Sequence, residues 1–212
     1  MIVAKWCGQM SPSNVWGERM RFFKKKTVDT FLNSSLETER FRLIICDKKR
    51  AFQLSLFWKD DPEILLNMMI PVKKYTQVRW YKDFTMPDHY KVFYHAIVDK
   101  QTNKAIGLHK SSFDRNGTVG ISIVVHDKNW WGKDVYFETR AKIIEHFSKS
   151  ERVIRFYGRC LDRNFSSIYN YKKLGFRIIG YDHKAVLDSR SGQHNGTCHF
   201  ELLTGEKTES GG

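Results

Sequence analysis

Three apolar stretches joined by short polar turns occupy residues 90–126, and they constrain the fold more than any other part of the chain. Tyr90–Asp99, Ala105–Asp114 and Thr118–His126 are separated by Lys100-Gln-Thr-Asn-Lys104 and by Arg115-Asn-Gly117. Asn-Gly tolerates the positive φ angles that a tight hairpin needs, so the spacing predicts three consecutive strands. The third alternates Val119, Ile121, Ile123 and Val125 against Thr118, Gly120, Ser122 and Val124. Side chains on a strand point alternately to its two faces, so the first set defines one apolar face. In the segment Asn129–Phe147 that follows, Phe137, Ala141, Ile144 and Phe147 form an apolar stripe at helical spacing.

The same reading extends outward. Glu39–Cys46 reads as a strand, Lys49–Lys59 as a helix stopped before Pro62, and Val72–Phe84 as a second helix. Beyond the central helix come a strand at Val153–Leu161, a helix at Phe165–Leu174 ended by Gly175, and strands at Arg177–Leu187 and Thr197–Leu203. This order predicts an α/β fold: a mixed, mostly antiparallel sheet with helices on both faces.

Residues 1–35 carry no sustained periodicity but hold Trp6, Trp16, Phe22 and Phe23, and read as an extension that docks on the domain or on a partner protein. The domain proper spans 36–204, and 205–212 read as a flexible tail.

The chain of 212 residues has a formal net charge of +13, which favours an acidic partner such as a nucleotide-bearing cofactor, nucleic acid or an acidic protein surface. No recognised nucleic-acid-binding motif accompanies that charge. The 4 cysteines form no C-x-x-C pair and the 8 histidines no H-E-x-x-H, so neither a metal site nor a disulfide framework is expected. No apolar run approaches the ~20 residues that cross a bilayer. Met1–Cys7 lacks the apolar core of a secretory leader, which makes a cytoplasmic protein the expectation.

Two motifs carry a resemblance. Asn164-Phe-Ser-Ser-Ile-Tyr-Asn-Tyr-Lys-Lys-Leu-Gly-Phe176 matches the pattern N-x-x-S-I-x-x-Y-x-K-L-G-F at every fixed position, and Trp131-Gly-Lys-Asp-Val-Tyr-Phe-Glu-Thr139 partly matches W-G-K-G-x-A-T-E-A. With the opening Leu36-Glu-Thr-Glu-Arg-Phe-Arg-Leu43, the chain resembles the GNAT superfamily of N-acetyltransferases, nearest to the group that acetylates ribosomal-protein N-termini.

The resemblance implies acetyl-coenzyme A as cosubstrate and direct attack by an amine. It implies that Tyr171 is the general acid that protonates the departing thiolate. It also implies that the backbone of Val124 and Val125 pairs with pantetheine, in a gap where that strand splays from the next. The loop Trp131, Gly132, Lys133, Asp134, Val135 and Tyr136 would cradle the pyrophosphate at a helix N-terminus, with Asn164 and Ser167 contributing from the later helix.

Asp134 and Tyr136 replace a glycine and an alanine of the pattern. Asp134 adds a like charge near the pyrophosphate, and as an ordinary helix position it would lose about 1 kcal/mol on change to glycine. No motif locates the base that deprotonates the amine. His126, whose imidazole is neutral near pH 7, is the first candidate, followed by Ser122 and His95.

The expected function is transfer of an acetyl group to a primary amine on a protein N-terminus or a small molecule. The alternative is a protein of this fold that has lost or altered cofactor use and serves as a structural or interaction subunit, of a viral or other large assembly.

Overall fold

The computed structural model describes residues 30–85 and 91–205. An eight-stranded sheet runs in the order β1-β2-β3-β4-β5-β6-β8-β7. Its strands are β1 (Leu36–Glu37), β2 (Phe41–Cys46), β3 (Lys91–Asp99), β4 (Ala105–Phe113), β5 (Thr118–Val125), β6 (Arg155–Leu161), β7 (Arg177–Asp188) and β8 (Gln193–Leu203). Every neighbouring pair is antiparallel except β5 and β6. The expected mixed, mostly antiparallel sheet is the one observed.

Helices cover both faces. On one, α4 (Val135–Phe147) and α5 (Phe165–Lys173) enclose a core of Phe41, Leu43, Phe93, Ile97, Val119, Ile121, Val125, Ile143, Phe147, Phe156 and Phe200. On the other, α1 (Lys48–Ser55), α2 (Pro62–Asn67) and α3 (Gln77–Thr85) pack with Tyr94, Ala96, Val98, Leu108 and Val124. The alternation along β5 thus divides as its period requires: Val119, Ile121 and Val125 to the first core, Val124 to the second.

Helix α2 was not expected, because Pro62 reads as a stop. Its lack of an N–H costs nothing in the first turn of a helix, where that group has no partner anyway. Asp61 caps the same turn, its carboxylate accepting from the N–H groups of Glu63 and Ile64 at 3.0 Å. Pro62 therefore starts a helix. The helix expected over Val72–Phe84 begins only at Gln77.

Of the extension, residues 1–29 lie outside the described residues. Leu32 is fully buried in the first core, and the Ser34 carbonyl and Ser35 hydroxyl accept from His95 and from the Ile45 N–H.

Candidate active site

The parallel strands β5 and β6 pair only over Thr118–Gly120 and Arg155–Tyr157, and beyond Gly120 they separate. The His126 N–H donates to the Ile106 carbonyl, turning that peptide toward β4. Backbone groups alternate sides along an antiparallel strand, so Val124 also turns to β4, where it pairs with Leu108. Ile123 and Val125 turn their N–H and C=O groups into the gap. Of the two valines expected to offer backbone there, Val125 does and Val124 does not.

The loop after β5 closes the mouth of the gap. The Trp131 indole Nε1–H donates to the Val125 carbonyl at 2.8 Å. Gly132 and Asp134 both adopt positive φ, +75° and +56°, which aims the chain into α4. Asp134 occupies the position that caps α4, yet its side chain makes no capping hydrogen bond. Its carboxylate instead lies 4.0 Å from Lys173 Nζ. Position 134 is therefore a left-handed cap rather than an ordinary helical residue, so glycine there relieves backbone strain. Without a side-chain cap, the first N–H groups of α4 stay free to meet an anion, and the helix dipole adds to their attraction.

Arg40, from the opening motif, braces this loop. Its Nε donates to Glu138 Oε2 at 2.7 Å, its backbone N–H to Glu138 Oε1 at 3.0 Å, and its Nη2 to the Lys133 carbonyl at 2.9 Å. The two motif segments thus hold each other in place; burial raises the Glu138 pKa, and the Thr38 hydroxyl together with Arg40 outweighs it and holds the carboxylate below its usual range.

Tyr136 enters the gap from the first turn of α4. It packs against the first core, and burial raises its pKa while the backbone N–H of Val125, directed at its oxygen, lowers it. One turn on, Arg140 is buried with its guanidinium 4.2 Å from the Tyr171 ring centre. Its Nε and Nη1 find no hydrogen-bond acceptor.

Tyr171 stacks by its other face on Phe200, ring centres 4.5 Å apart. Its hydroxyl lies against Gly158, the first residue of β6 past the paired stretch: a Cβ there would fall 2.3 Å from the oxygen. Burial raises the Tyr171 pKa, and the Arg140 charge opposes that rise. Asn164 caps α5, its Oδ1 accepting from the Ser167 N–H at 3.0 Å, and its Nδ2 donates to Asn67 of α2.

The base candidates separate. His126 leaves the sheet on the α1 side, flat against Phe57 with ring centres 4.9 Å apart, and burial lowers its pKa. His95 is fully enclosed under α4, its Nε2 3.1 Å from the Ser34 carbonyl, and burial lowers its pKa to about 4. Ser122 is half-buried opposite Lys110 of β4. A cluster that sequence reading passed over lies closer to the point where β5 and β6 part. Tyr157, His199 and Asp182 are linked there across three strands, with no local spacing to announce them.

Comparison with known proteins agrees with this architecture. No curated protein sequence matches. Among solved structures, ribosomal-protein-S5-alanine acetyltransferase from Vibrio fischeri superposes with a TM-score of 0.65 at 19% identity, over 81% of this chain and 97% of that one. Spermidine N-acetyltransferase from Vibrio cholerae, in complex with CoA and spermine, gives 0.65 at 11%, over 78% and 96%. The Salmonella typhimurium acetyltransferase that modifies the N-terminal serine of ribosomal protein L7/L12 gives 0.63 at 14%, over 78% and 96%. At these identities the likeness is one of fold. Among the described residues no helix is long and apolar enough to cross a membrane. The acetyltransferase (GNAT) domain family matches residues 47–177, more than half of the sequence, and the chain belongs to that family.

Proposed function

We propose that the protein transfers an acetyl group from acetyl-coenzyme A to a primary amine, on a protein N-terminus or a small molecule. The observation that carries this reading is the gap beyond Gly120, lined by outward-turned backbone of β5 and headed by the uncapped start of α4. Solved structures of the same fold include acetyltransferases for both acceptor classes.

The residues present fit the cosubstrate. Ile123 and Val125 would offer backbone groups to its pantetheine amides, and the backbone N–H groups of Val135, Tyr136 and Phe137 would hold its pyrophosphate. Lys133 lies within that loop, and the Tyr136 ring would have to turn out of the gap about its side-chain torsions. Bound there, the cosubstrate supplies an activated thioester carbonyl. Tyr171 keeps its proton through burial and gives it to the sulfur as the carbon–sulfur bond breaks. A phenol near pKa 10 can protonate a thiolate whose conjugate acid lies near 8.5. A thiol-release assay with acetyl-coenzyme A and a panel of polyamines and short peptides tests the reading. Turnover should appear with at least one amine and fall about 10²–10⁴-fold in Tyr171→Phe.

A second reading, a domain of this fold that has given up its cofactor for a structural role, is favoured by Tyr136, which packs against the first core from the position where the pattern has alanine. It predicts that the unmodified protein binds no coenzyme A and that Tyr136→Ala does.

A further inference from the structure

We propose that Tyr157, His199 and Asp182 form the proton relay that deprotonates the acceptor amine. This rests on the acyl-transfer reading above and supplies the base that no motif located.

The three residues meet on the face of the sheet opposite α4 and α5. Along β6, Phe156 and Cys160 belong to the core beneath those helices, so Tyr157 projects the other way; along β8, Cys198 and Phe200 do the same and leave His199 on the far face. The helices α1–α3 that cover this face draw their core from β3, β4 and β5, with no residue of β6, β7 or β8. The relay therefore lies on a half of the sheet that the α1–α3 core leaves uncovered, next to the covered half.

The geometry orders the three groups. Tyr157 Oη lies 2.5 Å from His199 Nδ1, and His199 Nε2 lies 2.7 Å from Asp182 Oδ2. With the Nε2 proton donated to the Asp182 carboxylate, Nδ1 carries the lone pair that accepts from the Tyr157 hydroxyl. Tyr157 and His199 are both half-buried, and exposure rises from the His199 side chain at 18% to that of Asp182 at 56%.

The position suits an acceptor. Tyr157 is the register partner of Gly120, at the last pair before β5 and β6 part. A Cβ on Gly120 would meet only Ser112, at an ordinary contact distance of 3.8 Å, and the glycine itself puts no side chain beside the phenol. On the opposite face Tyr171 presses against Gly158, the next residue of β6. One phenol thus stands on each side of the strand, at the point where donor and acceptor would meet.

The proton balance follows. As the amine nitrogen bonds to the thioester carbonyl carbon and the carbon–sulfur bond breaks, the nitrogen gives a proton to Tyr157 Oη. The Tyr157 proton passes to His199 Nδ1, and Asp182 holds the resulting imidazolium until solvent takes the proton. The sulfur receives its proton from Tyr171. Burial keeps Tyr157 protonated, so it moves a proton only because His199 accepts one; Arg155, Arg159, Asp182 and Tyr171 are charged and titratable groups around it, and Glu201, its register partner on β8, is paired with Arg155.

The test compares Tyr157→Phe, His199→Gln and Asp182→Asn in the thiol-release assay, with spermine and an alanine-initiated tetrapeptide as acceptors. Tyr157→Phe and His199→Gln should lose about 10²–10⁴-fold in kcat with the KM for acetyl-coenzyme A unchanged. In Asp182→Asn the neutral His199 should lose its strict Nε2 protonation, which nitrogen NMR reads, because the ring loses the carboxylate that accepts from Nε2. Nitrogen NMR of the unmodified protein should show neutral His199 protonated at Nε2. Full turnover in Tyr157→Phe, or a neutral His199 protonated at Nδ1, overturns the relay alone. Failure of the unmodified protein to bind coenzyme A overturns the acyl-transfer reading and the relay with it.

Discussion

The backbone N–H of Val125 points toward the Tyr136 hydroxyl, beside the gap that β5 and β6 leave open, and partly offsets the rise that burial gives the phenol's pKa. The Trp131 indole Nε1–H donates to the carbonyl of the same residue at 2.8 Å, so indole and phenol both stand at the gap-facing edge of Val125. A ligand entering along β5 must exchange with them. The exchange leaves the total of hydrogen bonds nearly constant, so its cost falls mainly on moving one aromatic ring out of an apolar site.

The backbone at Asp134 makes one stability prediction. An L-residue with a side chain in the left-handed region is strained by about 1 kcal/mol, and Asp134 recovers nothing by capping. Asp134→Gly should raise Tm by about 2–4 °C, a change that differential scanning calorimetry reads directly. A fall of similar size would show that the contact with Lys173 outweighs the strain.

Gly158 makes the opposite one. Tyr171 is clamped between Arg140 and Phe200, so its hydroxyl cannot yield easily to a new methyl group. Gly158→Ala should destabilise the protein by about 1–3 kcal/mol in urea unfolding. An unchanged midpoint would mean that the ring has room the structure does not show.

Buried histidines on and under α4 set a pH dependence. Burial lowers the pKa of His95 to about 4, and it lowers those of His109 and His146 as well. In the unfolded chain each titrates near 6.5, so below that pH the unfolded state binds protons that the folded state refuses. Stability should be full above about pH 7 and decline as pH falls from 6.5 toward 4, with His95 alone accounting for about 3 kcal/mol of the loss. Urea midpoints that stay level from pH 7 to 5 would contradict this.

Strand alternation and the capped, glycine-ended helix α5 were legible in the sequence because each is set by neighbours within a few positions. Helix α2 was not, since proline reads as a stop unless its cap, Asp61, is weighed with it. The site was legible in its loop and its tyrosine but not in its couplings. Arg40 and Glu138 are 98 positions apart, Tyr157 and His199 42, and Asp182 and His199 17. Such contacts depend on the order of strands in the sheet, which local periodicity does not encode. Val124 illustrates the same limit: which of two adjacent valines turns its backbone to the gap depends on the register with β4.

The most direct measurement is a calorimetric titration of coenzyme A into the unmodified protein and into Tyr136→Ala. If the gap beyond Gly120 is an acyl-coenzyme A cleft that Tyr136 vacates on binding, both proteins bind one equivalent. The variant should bind about tenfold or more tightly, a difference of roughly 1.4 kcal/mol or more. Heat of dilution alone from both proteins would contradict the account, because a cleft that stays closed with Tyr136 removed holds no cosubstrate.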